Sequence, residues 1–357
     1  MPMYRGVLVG AGGFGAAWSR TFLPEVRDRI RVVAIADIDA TARERAGESL
    51  GVPTEHLYAS YDRMIEEVEA DVCFIVIPPT ARTAIVRAAA NRGLAILCEK
   101  PVAASWDETL EIGSIVRTAG IKFAVMQNYR EQSRIRTLKQ VLKRPEHRSI
   151  NLIECRFAVN YTIETAGGAF RHHIPDAFIY EGAEHHLDQF RNLTGAGADW
   201  VQGHQWGTTW STFGGDTTLA LIIRMSNGVM IQYQMNHIDR GDQNGWHNEH
   251  YRISTEGGSV TLDAGDTVRI VRATAGGASM EEVMSLGDDR DGHHVLIGQF
   301  LDWLDGGPAP FSTFDDNVQT MALTFAAVEA THTGERVDVG QKLAAGVAQL
   351  PPASQPA

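Results

Sequence analysis

Val7-Leu8-Val9-Gly10-Ala11-Gly12-Gly13-Phe14-Gly15 is the stretch on which the fold of this 357-residue chain turns. Three apolar residues with the look of a buried strand run straight into G-x-G-x-x-G. A helical stretch follows through Leu23, and Pro24 is expected to end it. Gly10 permits a tight turn, Gly12 lets the backbone approach a pyrophosphate, and Gly15 lets the helix pack close to the strand. Gly13 and Phe14 complete the loop, and the helix N-terminus adds N–H donors and a dipole that favours phosphate. With 35 glycines in the chain, the turn alone is a weak signal. Asp37 strengthens it: it closes the run Val32–Ala36, 22 residues after Gly15, where a ribose-binding carboxylate belongs. A carboxylate there accepts from both ribose hydroxyls and repels a 2′-phosphate. The next residue, Ile38, brings no adjacent arginine to a phosphate, so NAD is expected and NADP is disfavoured.

Around this turn the chain alternates short apolar runs with helical stretches. Strands are expected at Arg5–Val9, Arg31–Ala36, Val72–Ile77, Leu94–Leu97 and Phe123–Met126, with helices such as Thr41–Leu50 and Ala81–Arg92 between them. Continuous apolar strands mean that both sheet faces are covered, which implies parallel βαβ units and a doubly wound sheet. Residues 1–127 therefore form a Rossmann-type nucleotide-binding domain. After Asn128 the rhythm changes to a helix, Gln132–Lys143, and strand-like runs at Asn151–Phe157, Thr217–Met225, Val229–Met235, Tyr251–Ser254 and Ser259–Leu262. Ser226-Asn227-Gly228 and Glu256-Gly257-Gly258 look like hairpin connections. Residues 128–350 are expected to form an α+β domain with a large, mostly antiparallel sheet and two late helices, His294–Leu304 and Asp315–Thr333. Residues 351–357 have the composition of a frayed tail.

Composition narrows the function. A net charge of −12 argues against a nucleic-acid or anionic-membrane partner. With 44% hydrophobic and 21% charged residues, disordered and fibrous classes are excluded. Cys73, Cys98 and Cys155 lie apart in apolar runs and are expected as buried, reduced thiols. No run approaches the ~18 apolar residues of a membrane span, and the first apolar run is too short for a secretory signal, so a cytoplasmic protein is expected. His247-x-x-His250 has neither an H-E-x-x-H context nor a cysteine pair beside it, so no metal is expected.

The run Ala88-Ala89-Ala90-Asn91-Arg92-Gly93-Leu94-Ala95-Ile96-Leu97-Cys98-Glu99-Lys100-Pro101 resembles the E-K-P segment of the glucose–fructose oxidoreductase / inositol dehydrogenase / MocA family. The glycine turn, Asp37, the Ile77-Pro78-Pro79 strand end and Asn128-Tyr129-Arg130 fall where that family has its motifs, and a helix with Glu181, His185 and Asp188 completes the pattern. The resemblance spans most of the chain. It implies a two-domain NAD(P)-dependent oxidoreductase acting on a sugar, cyclitol or related polyol. The family's E-K-P lysine, here Lys100, touches the reacting hydroxyl, and its D-x-x-x-H motif supplies a carboxylate and a catalytic histidine, here His185. Cofactor contacts are implied at Ile77, Pro78, Pro79, Glu99, Lys100 and Asn128, and substrate contacts at Lys100, Arg130, His185 and Asp188. The family's second domain commonly packs its open sheet face against another subunit, which implies a homodimer or homotetramer. Three departures stand out: Glu181 replaces the family's aspartate, Arg82 stands where a histidine is common, and Glu131-Gln132-Ser133 has no proline.

Residue physics supports the same assignment. On a helix over Glu181–Asn192, Glu181, His185 and Asp188 fall at i, i+4 and i+7 on one face. His186 then points ~100° away, so the two histidines have different jobs. Oxidising a secondary alcohol requires a base for the hydroxyl proton. His185 suits that role, with Glu181 or Asp188 orienting the ring, and Lys100 stabilises the developing alkoxide. The loop Asn160–Tyr180 brings Tyr161, Arg171, His172, His173 and Tyr180 as candidate pocket walls, and His204, Trp206 and Trp210 form a similar cluster. Two other functions share these motifs: a glycoside hydrolase that uses NAD transiently through oxidation, elimination and re-reduction, and a non-catalytic NAD-binding regulator.

Overall fold

Apolar residues on both faces of consecutive short strands leave a sheet only one way to fold, under two layers of helix. In the computed structural model, which describes residues 3–162, 172–241, 243–263, 267–284 and 292–352, this is the outcome. Strands β1 (Tyr4–Val9), β2 (Ile30–Ala36), β3 (Leu57–Tyr58), β4 (Val72–Ile75), β5 (Ala95–Cys98) and β6 (Phe123–Val125) form a parallel sheet in the order β3-β2-β1-β4-β5-β6. Every residue of β4 is buried, as a doubly covered strand requires. The order reverses at β1, so the crevice beyond the ends of β1 and β4 is the place for a ligand. Asp39 caps the Ala40–Leu50 helix by accepting from the Thr41 N–H, and Gly51 ends it at φ 68°.

Pro24 does not end the first helix. The helical run after the glycine turn continues as Gly15–Ala17, a π-helical turn Trp18–Phe22, and Leu23–Glu25. Pro24 lies in the final turn of that run, which ends at Glu25.

The chain divides into two compact units. One comprises Met1–Asn128, His293–Met321 and Ala345–Ala357; the other comprises Tyr129–Gly292 and Ala322–Ala344. Sequence reading assigned 128–350 to one continuous domain, whereas the chain returns twice to the first unit. The reason is apolar burial: the helix His293–Leu304 turns Leu296, Ile297, Phe300 and Leu301 into the core that holds Leu8, Trp18, Ile35 and Phe74. All three cysteines are buried and unbonded to one another, and burial pushes the Cys98 thiol up to about 11. No helix among the described residues is long and apolar enough to cross a membrane.

The second unit is built on nine strands. They are β7 (Ile150–Ala158), β8 (Ala198–Trp206), β9 (Thr218–Met225), β10 (Met230–Asn236), β11 (His250–Thr255), β12 (Gly258–Leu262), β13 (Thr267–Thr274), β14 (Gly277–Met284) and β15 (Val337–Asp338). Their order is β14-β13-β12-β11-β7-β10-β9-β8-β15, antiparallel except between β10 and β7. Gly228 at φ 90° and Gly258 at φ 130° make the two expected hairpin turns. Sequence reading did not extract β8, β13 and β14, because their outward residues are polar or charged and their apolar alternation is weak. On β9 and β10, Leu221, Ile223, Tyr233 and Met235 face inward while Ile222, Gln232 and Gln234 are exposed. The inner face carries the helix Glu184–Thr194, whose Phe190 ring lies 5.4 Å from that of Tyr233.

Candidate active site

The nucleotide half begins at β1. Gly10 has φ 94°, and a Cβ there would stand 2.1 Å from the Val76 carbonyl oxygen; a Cβ on Gly15 would stand 2.3 Å from the Gly10 carbonyl oxygen. Only glycine fits either place. Asp37 braces the turn: its Oδ2 accepts from the N–H groups of Ala11 (2.6 Å) and Gly12 (2.9 Å), and its Oδ1 accepts from the Asp39 N–H (2.8 Å). A carboxylate has about four acceptor sites, so capacity remains for a ribose hydroxyl. Ile38 beside it is 94% exposed. The fold does bring arginines here. Arg43 donates to the Asp37 carbonyl at 2.5 Å, and Arg20 and Arg45 line a cavity of about 250 Å³ beside Gly12, Gly13 and Thr41. Sequence adjacency, which offered only Ile38, did not show this.

At the end of β5, Glu99 is 7% exposed, and its carboxylate accepts from Trp18 Nε1 (2.9 Å) and from the Lys100 N–H (3.2 Å). The His293 Nε2 lies 3.5 Å away. Burial alone would raise the Glu99 carboxyl, but His293, Trp18 and the Arg82 charge hold it below the usual carboxylate range. Glu99 thus holds the base of the Lys100 turn, and Lys100 itself is half-buried. Pro78 and Pro79 lead into the Arg82–Asn91 helix, and Asn128 is buried at the close of the segment. Trp18 and His293 carried no signal in the sequence, because their partner Glu99 is remote along the chain.

A second group of candidate residues lies in the second unit. His185 is 7% exposed, and its ring stacks on Tyr129 with centroids 3.9 Å apart and planes 14° apart. Trp246 meets the His185 ring edge-on at 6.4 Å. Asp188 forms a bidentate pair with Arg130, Nε–Oδ2 2.7 Å and Nη2–Oδ1 2.5 Å, and Arg191 stands 3.5 Å away. Both members are buried, which gives Asp188 and Arg130 a structural duty that sequence reading did not assign. His186 faces elsewhere, as its helix position requires. It is fully buried, with Nδ1 2.6 Å from the Tyr233 hydroxyl and Nε2 3.3 Å from Glu249. Burial would raise the Glu249 carboxyl, but His186, a backbone N–H and Arg134 hold it low. The α-helix starts at Glu184 rather than Glu181. Half-buried Glu181 lies in a π-helical turn, Ile179–Ala183, where Gly182 lets the backbone approach the His237 ring.

His247 is a site candidate that sequence reading treated only as a failed metal ligand. It is exposed and holds φ 66°, an uncommon backbone state for histidine. Its N–H donates to Glu249 (3.1 Å), Arg134 donates to its carbonyl, Gln132 contacts its Nδ1, and its ring lies 4.6 Å from Tyr129. Two buried side chains, Glu249 and Arg134, therefore hold the His247 backbone, and buried Gln132 holds its ring beside the aromatic that carries His185. Nearby, the Trp246 indole N–H donates to the Tyr161 hydroxyl. Burial, with the Asp176 charge adding, pushes the Tyr180 phenol up to about 12, so it keeps its proton near neutrality. Arg171 lies outside the described residues. His172 is buried on Phe213, and His173 is exposed. The cluster of His204, Trp206 and Trp210 does not join His185. His204 and Trp206 are on the exposed side of β8, paired across to Ala220 and Thr218, while the inward side of the sheet carries Tyr233 to His186.

A doubly wound sheet with a carboxylate-braced glycine turn, and a lysine closing its fifth strand, define a dehydrogenase that works with a nicotinamide dinucleotide. Residues 4–127 match the oxidoreductase family with an NAD-binding Rossmann fold. The uncharacterised protein y4oX of Sinorhizobium fredii is 32% identical over 349 residues, covering 95% of this chain and 97% of y4oX. The chain belongs to the glucose–fructose oxidoreductase / inositol dehydrogenase / MocA family. Two solved structures share its fold. An oxidoreductase from Agrobacterium radiobacter in complex with NAD+, L-tartaric acid and magnesium superposes with a TM-score of 0.84 at 20% identity, over 95% of this chain and 99% of that one. Levoglucosan dehydrogenase in complex with NADH and L-sorbose gives 0.82 at 19% identity, over 95% and 99%.

The buried Arg130–Asp188 pair makes a stability prediction. Arg130→Met leaves a buried carboxylate with its bidentate partner gone and should cost about 3–5 kcal/mol in urea unfolding. Replacing both, Arg130→Met with Asp188→Leu, should recover most of that loss. A single variant as stable as the native protein would show that the pair does not anchor the helix.

Proposed function

We propose that this enzyme oxidises a secondary hydroxyl of a sugar, cyclitol or glycoside with NAD as acceptor. The observation that carries the reading is His185, a nearly buried imidazole held against Tyr129 on a helix anchored by Arg130 and Asp188. A base that must meet one hydroxyl needs a fixed ring, and this one is fixed. The two solved neighbours each hold a nicotinamide dinucleotide together with a hydroxyl-rich ligand, which supports the substrate class.

When bound, the nicotinamide supplies the hydride acceptor. The chain does the rest. Gly10–Gly15 cradle the pyrophosphate and Asp37 accepts from the adenosine ribose. Lys100 places a positive charge on the substrate oxygen as its proton passes to His185, so that the carbon can release hydride and become a carbonyl. Exposed His247, with Trp246 and Tyr161, offers the polar and aromatic surface that a sugar ring packs on. Glu181, Tyr180 and Asp188 remain candidates for orienting His185 or the substrate.

Three outcomes test this. First, NAD should bind more tightly than NADP, and Asp37→Ala should weaken NAD more than NADP in fluorescence titrations. An NADP preference would assign Arg20, Arg43 or Arg45 to a 2′-phosphate instead. Second, in a screen of polyols, aldoses and glycosides followed by NADH absorbance, Lys100→Ala and His185→Ala should each lower kcat by about 10²–10⁴-fold with little change in NAD affinity. Turnover of a glycoside without net NADH would make the enzyme the redox-neutral hydrolase. Third, the exposed face of the second sheet, with Ile222 42% and Trp206 44% exposed, is proposed to pack against another copy. Light scattering at micromolar concentration should give a dimer or tetramer, and a monomer mass would contradict this.

A further inference from the structure

Arg82 is a charged side chain only 3% exposed, at the start of the Arg82–Asn91 helix. Its guanidinium has five N–H donors, and each meets a backbone carbonyl. Nε and one Nη2 hydrogen go to Ile77 (2.9 and 2.6 Å), the other Nη2 hydrogen points to Lys100 (3.4 Å), and Nη1 donates to Glu99 and Pro101. Burying a guanidinium is costly, and apolar packing at this place would not need one. The strand ladder supplies only part of the order here. It pairs Ile75 with Cys98 and ends with the Glu99 N–H on the Ile75 carbonyl (2.9 Å), one residue short of Lys100. Beyond that point Arg82 ties the end of β4 to the carbonyls of Glu99, Lys100 and Pro101.

We propose that Arg82 is a positioning residue for Lys100, setting the backbone from which the ammonium reaches the substrate oxygen. This rests on the role proposed above for Lys100. Only a planar fork spans these carbonyls: lysine has three donors on one atom, and glutamine has two on a shorter arm. The side chain acts on the turn and touches no substrate.

The test is a double-mutant cycle on the whole enzyme with the screen compound oxidised fastest. Arg82→Gln and the charge-keeping Arg82→Lys should lower kcat by about 10- to 100-fold, the scale of a misplaced catalytic group. KM should move less, and the NADH dissociation constant should stay native. In a Lys100→Ala background the same substitutions should leave kcat nearly unchanged, because there is no ammonium left to misplace. A second readout needs no substrate: acetic anhydride should label Lys100 faster in Arg82→Lys than in the native protein, relative to Lys122, by peptide mass spectrometry. Native kcat and native labelling in Arg82→Lys would overturn the proposal. So would an equal loss of kcat with and without Lys100, which a purely structural role predicts. Full activity in Lys100→Ala would instead remove the role of Lys100 on which the proposal rests.

Discussion

Three stretches of backbone meet at the glycine turn with no room for a side chain between them. The carbonyl of Gly10 crowds the Cβ position of Gly15, and the carbonyl of Val76 crowds that of Gly10. This close approach lets the first helix start against the ends of β1 and β4 and leaves the Ala11 and Gly12 N–H groups to the Asp37 carboxylate. The helix so placed brings the Trp18 indole to Glu99, and Glu99 in turn accepts from the Lys100 N–H. The place of the lysine thus descends, bond by bond, from a contact that only glycine allows. A larger residue at Gly10 or Gly15 would shift the helix and everything built on it.

The second unit solves a different problem, which is to hold polar groups in a dry helix–sheet interface. Each residue from Glu184 to Leu193 is buried. Polar groups are tolerated there because they are partnered: Asp188 with Arg130, and His186 with Tyr233 and Glu249. The two adjacent histidines show how helical geometry divides labour. A rotation of about 100° separates a ring locked into a polar core from a ring laid on Tyr129. The first ring holds the helix to the sheet, and the second is the ring proposed as the base. Glu249 joins the two sides, since it also accepts from the His247 N–H. One buried carboxylate therefore serves both the core and the strained loop that presents the exposed imidazole.

Much of this could be read along the chain. Strand and helix periodicity gave the parallel sheet, the glycine turn and Asp37 gave the candidate nucleotide site, and E-K-P with the His185 helix gave the family, because φ requirements and apolar alternation are written in neighbouring residues. Residues whose meaning depends on remote partners could not be read that way. Arg82 appeared only as a departure from a motif, and Asp188 as part of a polar stripe. Trp18 and His293 carried no mark of Glu99, and nothing near His247 announced Gln132 or Arg134. The helix His293–Leu304 showed its apolar face but not which core would receive it. The sequence by itself determined the strongly periodic elements and the candidate side chains for chemistry, since those follow from local sterics and residue type. Tertiary structure alone decided which buried charges meet, because a pair such as Arg130 and Asp188 exists only after distant elements have been packed together and water has left the space between them.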